Sequence, residues 1–151
     1  MIADYLELHR ITHHVSFIES DSTRILAGLN SQFDLILLDH YKPKYPIDLF
    51  TVLQRNLLAP GGSIILHDVL THAAPGWKYC ALVCRAFGHD WTIDANVSQG
   101  AALVRASKTA SPSAMLIAIA GIRVKLRWYT HAWALRVRRR LGRILRAFGL
   151  R

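Results

Sequence analysis

Two short apolar runs that each end in an acid constrain this chain most. Phe33-Asp34-Leu35-Ile36-Leu37-Leu38 closes on Asp39, and Ser63-Ile64-Ile65-Leu66-His67 closes on Asp68. Runs of this length, bounded by charged or turn residues, predict strands covered on both faces in a parallel sheet. The segment between them, residues 48–58, has the length of a helix, so the order strand, helix, strand predicts an α/β fold. In an open α/β sheet the ligand crevice lies beyond the carboxyl ends of the strands, and Asp39 and Asp68 are expected to face it together. Two carboxylates at such a place can hold a hard divalent cation, and they can equally cap a neighbouring helix or face water.

The rest of the chain continues the alternation. Residues 3–12 read as a helix, and Val15-Ser16-Phe17-Ile18-Glu19 alternates as a short strand does. Asp21 or Ser22 is the expected N-cap of a helix over residues 23–29. Pro46-Ile47-Asp48 opens the next helix and Pro60-Gly61-Gly62 is expected to stop it. Residues 77–87 suit a further helix, and residues 91–97 and 101–105 two strands joined at Ser98-Gln99-Gly100.

Charge divides the chain. Residues 1–104 hold seven Lys/Arg against ten Asp/Glu, whereas residues 105–151 hold twelve Lys/Arg and no acid. Residues 1–107 therefore read as one α/β unit, 108–113 as a Ser/Thr/Pro linker and 114–151 as a basic helical tail. In the tail Ile119, Ile122, Leu126, Tyr129, Trp133, Val137, Leu141, Ile144 and Phe148 recur at helical steps, with Lys125, Arg136, Arg139, Arg143 and Arg146 on the other side. The apolar run at 114–122 falls short of the roughly twenty residues that span a bilayer. Three roles are open for this basic amphipathic helix: lying on an anionic membrane surface, packing on the domain or on a second copy of the chain, and, ranked below these, binding nucleic acid. Cys80 and Cys84, four apart in an apolar stretch, are expected to be buried free thiols. With no basic region and apolar run near Met1, the expected location is cytoplasmic, with peripheral membrane contact through the tail.

Leu38-Asp39-His40-Tyr41-Lys42-Pro43-Lys44-Tyr45, then Leu57-Leu58-Ala59-Pro60-Gly61-Gly62-Ser63-Ile64-Ile65-Leu66-His67-Asp68 and Ala74-Pro75-Gly76, resembles the C-terminal half of class I S-adenosylmethionine-dependent methyltransferases. Catechol O-methyltransferase is the most similar type. The resemblance covers residues 1 to about 106. It implies a truncated Rossmann-like methyltransferase sheet of about five strands, the last two an antiparallel hairpin, with the basic helix appended. It also implies methyl transfer from S-adenosylmethionine to a hydroxyl of a small-molecule acceptor. Asp39 and Asp68 become Mg²⁺ ligands, Asp39, His40 and Tyr41 line the methyl donor, Asp21 and Ser22 lie at its adenine, and Lys42 is the general base. His67 is a second candidate base.

Two positions depart from the family pattern. Val69 stands where the metal-dependent members place an Asn ligand. The Gly-rich turn and the ribose-binding acid of the family have no counterpart in this chain, because Gly61-Gly62 precedes a strand where the cradling turn follows one. Donor binding by these residues alone is therefore not expected. The rival expectation is a non-catalytic methyltransferase remnant that acts through its basic helix.

Overall fold

The computed structural model describes residues 15–16, 18–69, 76–94, 101–108 and 112–147. Helix α1, Ser22–Gly28, leads into strand β1, Phe33–Leu38. A 3₁₀ turn at Lys42–Lys44 feeds helix α2, Tyr45–Gln54, and strand β2, Leu58–Leu66, follows. Helix α3, Gly76–Phe87, strands β3, His89–Asp94, and β4, Ala101–Lys108, and the long helix α4, Ala114–Ala147, complete the described chain.

The sheet order is β1-β2-β4-β3. β1 and β2 are parallel, and β4 enters antiparallel between β2 and β3. The expected parallel pair and the antiparallel final pair are both present. Among the described residues the sheet has four strands: Val15, Ser16, Ile18 and Glu19 lie outside any ladder, and Phe17 is not among the described residues. Alternation alone does not make a strand, because a strand needs an edge to pair with and a face to bury. The expected helix at 3–12 and the turn at 98–100 also lie outside the described residues.

Two further expectations are corrected. Helix α2 stops at Arg55 and Asn56, not at Pro60-Gly61-Gly62, and Asn56 takes the positive φ of 55° that ends the helix. Pro60-Gly61-Gly62 instead lies inside β2 as an irregularity, where the register jumps from Phe33 opposite Leu58 to Leu35 opposite Ser63. Gly62 is needed there, since a Cβ would stand 2.9 Å from the Asp34 carbonyl oxygen. β1 is also covered on one face only: Leu38 is buried, whereas Leu35 and Leu37 are each 60% exposed.

The core fills the space between one face of the sheet and a layer formed by α2, α3 and α4. Ile64 and Leu66 from β2 meet Leu49, Val52 and Leu53 from α2 and Cys80, Val83 and Cys84 from α3. Both thiols are free and buried, as expected, and burial pushes their pKa values up. Phe50 packs edge-on against Phe87 with ring centroids 5.6 Å apart.

Helix α4 closes this core through Ala120, Gly121 and Val124, and Ser113 ahead of it donates its backbone N–H to the Ala86 carbonyl at the end of α3. A Cβ on Gly121 would lie 2.8 Å from the Phe50 ring, so the two helices approach as closely as they do because this residue is glycine. Gly121→Val is expected to lower stability by about 1–3 kcal/mol through overpacking. Gly142→Ala, where nothing lies within 4 Å of the added Cβ, is expected to raise stability by up to about 1 kcal/mol. Urea unfolding of both variants measures the difference, and equal effects would contradict the packing described.

Candidate active site at the carboxyl ends of β1 and β2

The parallel pairing of β1 with β2 sets the site. His67 donates its backbone N–H to the Leu38 carbonyl at 3.0 Å, which extends the ladder by one residue and places Asp39 beside His67 and Asp68. His67 Nδ1 lies 3.3 Å from Asp39 Oδ1 and 3.2 Å from Asp68 Oδ1. Asp68 has φ of 54°, a left-handed conformation that Asp tolerates better than most residues and that turns the chain sharply after the strand. The Lys42 ammonium completes the cluster, 3.1 Å from Asp39 Oδ1 and 3.4 Å from Asp68 Oδ2. Val69, by contrast, packs against the core and offers no ligand atom.

The electrostatics follow from these contacts. Burial opposes the charge on Lys42, but its bonds to Tyr45, Asp39 and Asp68 outweigh burial and raise its pKa well above the usual lysine value. The Lys42 hydrogen bond, helped by His67, holds the Asp39 carboxyl below its ordinary 3.8. Beneath the cluster Tyr45, itself buried, donates its hydroxyl to the His67 carbonyl at 3.0 Å, and its ring carries Lys42 Nζ 5.4 Å from its centroid.

A second network adjoins the first. Asp48 on α2 is fully buried and accepts three side-chain hydrogen bonds: Ser22 Oγ at 2.7 Å, Thr23 Oγ1 at 2.9 Å and His40 Nε2 at 2.5 Å. For His40 to donate, Nε2 must carry the proton. Asp21 accepts the Thr23 backbone N–H at 3.0 Å as the N-cap of α1 and pairs with Lys44 Nζ at 2.5 Å, which lowers the Asp21 pKa. Lys44 Nζ also donates to Ser22 Oγ at 3.0 Å.

The structure therefore gathers Asp39, Lys42, His67 and Asp68 in one cluster, and Asp21, Ser22 and His40 in a second, joined by the short turn between β1 and α2. Tyr41 departs from both: half-exposed, it turns its hydroxyl to His131 Nε2 on α4 at 2.7 Å. No sequence pattern gives Asp48, Lys44 or Tyr45 a part in the site. An acid in the first turn of a helix ordinarily favours the helix dipole from the surface, and nothing in the residues around Asp48 marks it as buried.

The fold has a relative among solved structures. The SAH-bound methyltransferase PaMTH1 of Podospora anserina aligns with a TM-score of 0.55 and 21% identity, covering 68% of this chain and 53% of that one. The chain thus spans about half the length of the protein it matches, and what the two share is a methyltransferase-like fold. No protein-family model and no curated protein sequence matches the chain.

The Lys42–Asp39 pair carries a pH dependence of definite sign. Because the folded-state pKa of Asp39 is lowered, the pair's stabilisation is complete above the ordinary aspartate value of 3.8 and is lost as pH falls through the lower, folded-state value. Carboxyl carbon NMR is expected to show Asp39 titrating below 3.8 and moving back toward it in Lys42→Met. An unchanged titration in that variant would contradict the pairing.

Proposed function

We propose that this chain forms the acceptor side and the adenine side of an S-adenosylmethionine-dependent O-methyltransferase site, acting on a hydroxyl of a small molecule. The observation that carries this reading is the convergence of Asp39, Lys42, His67 and Asp68 at the ends of adjacent parallel strands, within a fold that resembles an SAH-bound methyltransferase. The second network supports it, since Asp48 ties Ser22, at the expected adenine loop, to His40, at the expected donor wall. Asp21, Ser22, His40 and Tyr41 would meet the donor, which supplies an electrophilic methyl group on a sulfonium.

The side chains divide the remaining work. His67 turns Nδ1 toward two carboxylates, so in the neutral ring Nδ1 carries the proton and Nε2 keeps its lone pair. We assign Nε2 as the acceptor of the hydroxyl proton. Lys42, held as a cation, stabilises the oxygen anion that develops as this proton leaves. The base is then His67, the second candidate, and not Lys42, to which the family resemblance gives that role. One ligand atom from each of Asp39, His67 and Asp68 lies within 4.8 Å of the others, a donor set that fits a divalent cation. A cation held there would make His67 a ligand in place of the base, since a neutral imidazole has one lone pair to give, and the cation itself would then lower the hydroxyl pKa.

Residue-resolved NMR of the 151-residue chain at millimolar ligand detects the residual contacts left to a site without the Gly-rich turn and ribose-binding acid, contacts too weak to amount to donor binding in the ordinary micromolar range. S-adenosylhomocysteine is expected to shift Asp21, Ser22, His40 and Tyr41, and catechol to shift Asp39, Lys42, His67 and Asp68. Asp39→Asn is expected to remove the catechol shifts and spare those of S-adenosylhomocysteine. Absence of both sets at millimolar ligand, or shifts confined to other regions, would contradict the proposal.

A further inference from the structure

Helix α4 carries two apolar faces, and only one of them is used by the fold. Ala120, Gly121 and Val124 are buried in the core. On the opposite face Ile122, Leu126, Tyr129 and Trp133 stand 59–68% exposed, and Leu141 and Ile144 continue the line at just over half exposed. At 3.6 residues per turn, the first four fall within an arc of about 60° that runs for roughly 17 Å from Ile122 to Trp133, and beyond it Arg140 falls in the same arc between Trp133 and Ile144. The stripe that the sequence marked as amphipathic therefore does not make the contact with the domain. Its mirror face does.

We infer that this outward stripe docks α4 on the surface of an anionic lipid bilayer, lying in the headgroup layer parallel to it. Charge decides the occupant. Lys125, Arg136 and Arg143 line one border of the stripe and Arg123 and Arg127 the other, and α4 contains no acidic residue. On the second border a groove of about 710 Å³ opens between α3 and α4, lined by Lys78, Tyr79, Arg123, Leu126 and Arg127. There the Arg127 guanidinium stacks on the Tyr79 ring at 4.8 Å, and its buried Nε has no hydrogen-bond acceptor among the described residues. The cations Lys78, Arg123 and Arg127 along this groove suit a lipid phosphate, and the neighbouring Leu126 provides the apolar floor for its acyl chains.

The alternatives fit less well. A second copy would present the same basic borders to this face, so pairing through the stripe would set like charges together. Nucleic acid would use the arginines but leave the Ile, Leu and Trp side chains against a solvated phosphate backbone. No helix among the described residues is long and apolar enough to cross a membrane, and Arg123 interrupts the apolar run, so the helix lies on the bilayer and does not span it. Tyr129 and Trp133 on the stripe have the amphipathic rings that favour the headgroup level. The inference does not rest on the methyltransferase reading.

Flotation of the full chain with vesicles of phosphatidylcholine containing about one-third phosphatidylserine is the test, with pure phosphatidylcholine vesicles as control. Binding is expected to the first at least about tenfold more strongly than to the second, and to weaken with salt. Leu126→Ser/Tyr129→Ser/Trp133→Ser, all at exposed positions, is expected to keep the native circular dichroism and to lose at least about tenfold in binding. Arg136→Glu/Arg143→Glu provides a second variant that leaves the stripe intact, with a similar loss expected. Failure of the native chain to float with anionic vesicles would overturn the inference. So would full vesicle binding by the folded triple variant, or duplex DNA binding or dimerisation of the native chain without vesicle binding.

Discussion

A fully buried carboxylate, Asp48, is the constraint on which the site depends. Taking a charged group out of water is tolerated only where hydrogen bonds replace the lost hydration, and three side chains do so here. Ser22 and Thr23 come from the first turn of α1 and His40 from the turn after β1, so one carboxylate on α2 fixes two other segments. Asp21 caps α1, which leaves the Ser22 and Thr23 hydroxyls available to Asp48, and Lys44 fastens Asp21 from the 3₁₀ turn. Once the β1–α2 turn is held in this way, Asp39 and Lys42 within it stand where the His67–Asp68 corner of β2 meets them.

The same turn also meets the long helix. Tyr41 bonds His131, and Lys44 Nζ lies 5.9 Å from the centroid of the Trp128 ring. Because α4 starts beside the end of α3 at Ala86 and reaches this turn by His131, it runs toward the carboxyl ends of the parallel strands. Its residues beyond His131 extend past the end of the sheet that carries the candidate site. Two apolar faces on one helix, one buried and one bordered by arginine, thus give α4 a structural role and leave a surface for a partner.

The amino-acid sequence reveals the parts of this arrangement that depend on local chemistry. The apolar runs before Asp39 and Asp68, the Asp21 cap and the antiparallel final pair follow from patterning and turn residues, and the structure forms all of them. It conceals what depends on tertiary partners. Asn56, not the glycine pair, ends α2, because a residue in the left-handed conformation can close the helix before the chain reaches Pro60. Lys42 reads as a base until its bonds to Tyr45, Asp39 and Asp68 are seen, which outweigh its burial and keep it protonated. The tail's apolar stripe reads alike whether it faces core or solvent, and only the contacts of Ala120, Gly121 and Val124 distinguish the two.

Equilibrium urea unfolding of Asp48→Ala tests most directly whether one buried carboxylate holds the site together. Loss of the acceptor for Ser22, Thr23 and His40 is expected to destabilise the chain by about 3 kcal/mol, the scale found when one partner of a buried ionic network is removed. A change below about 1 kcal/mol, within the range of an ordinary exposed pair, would contradict that role.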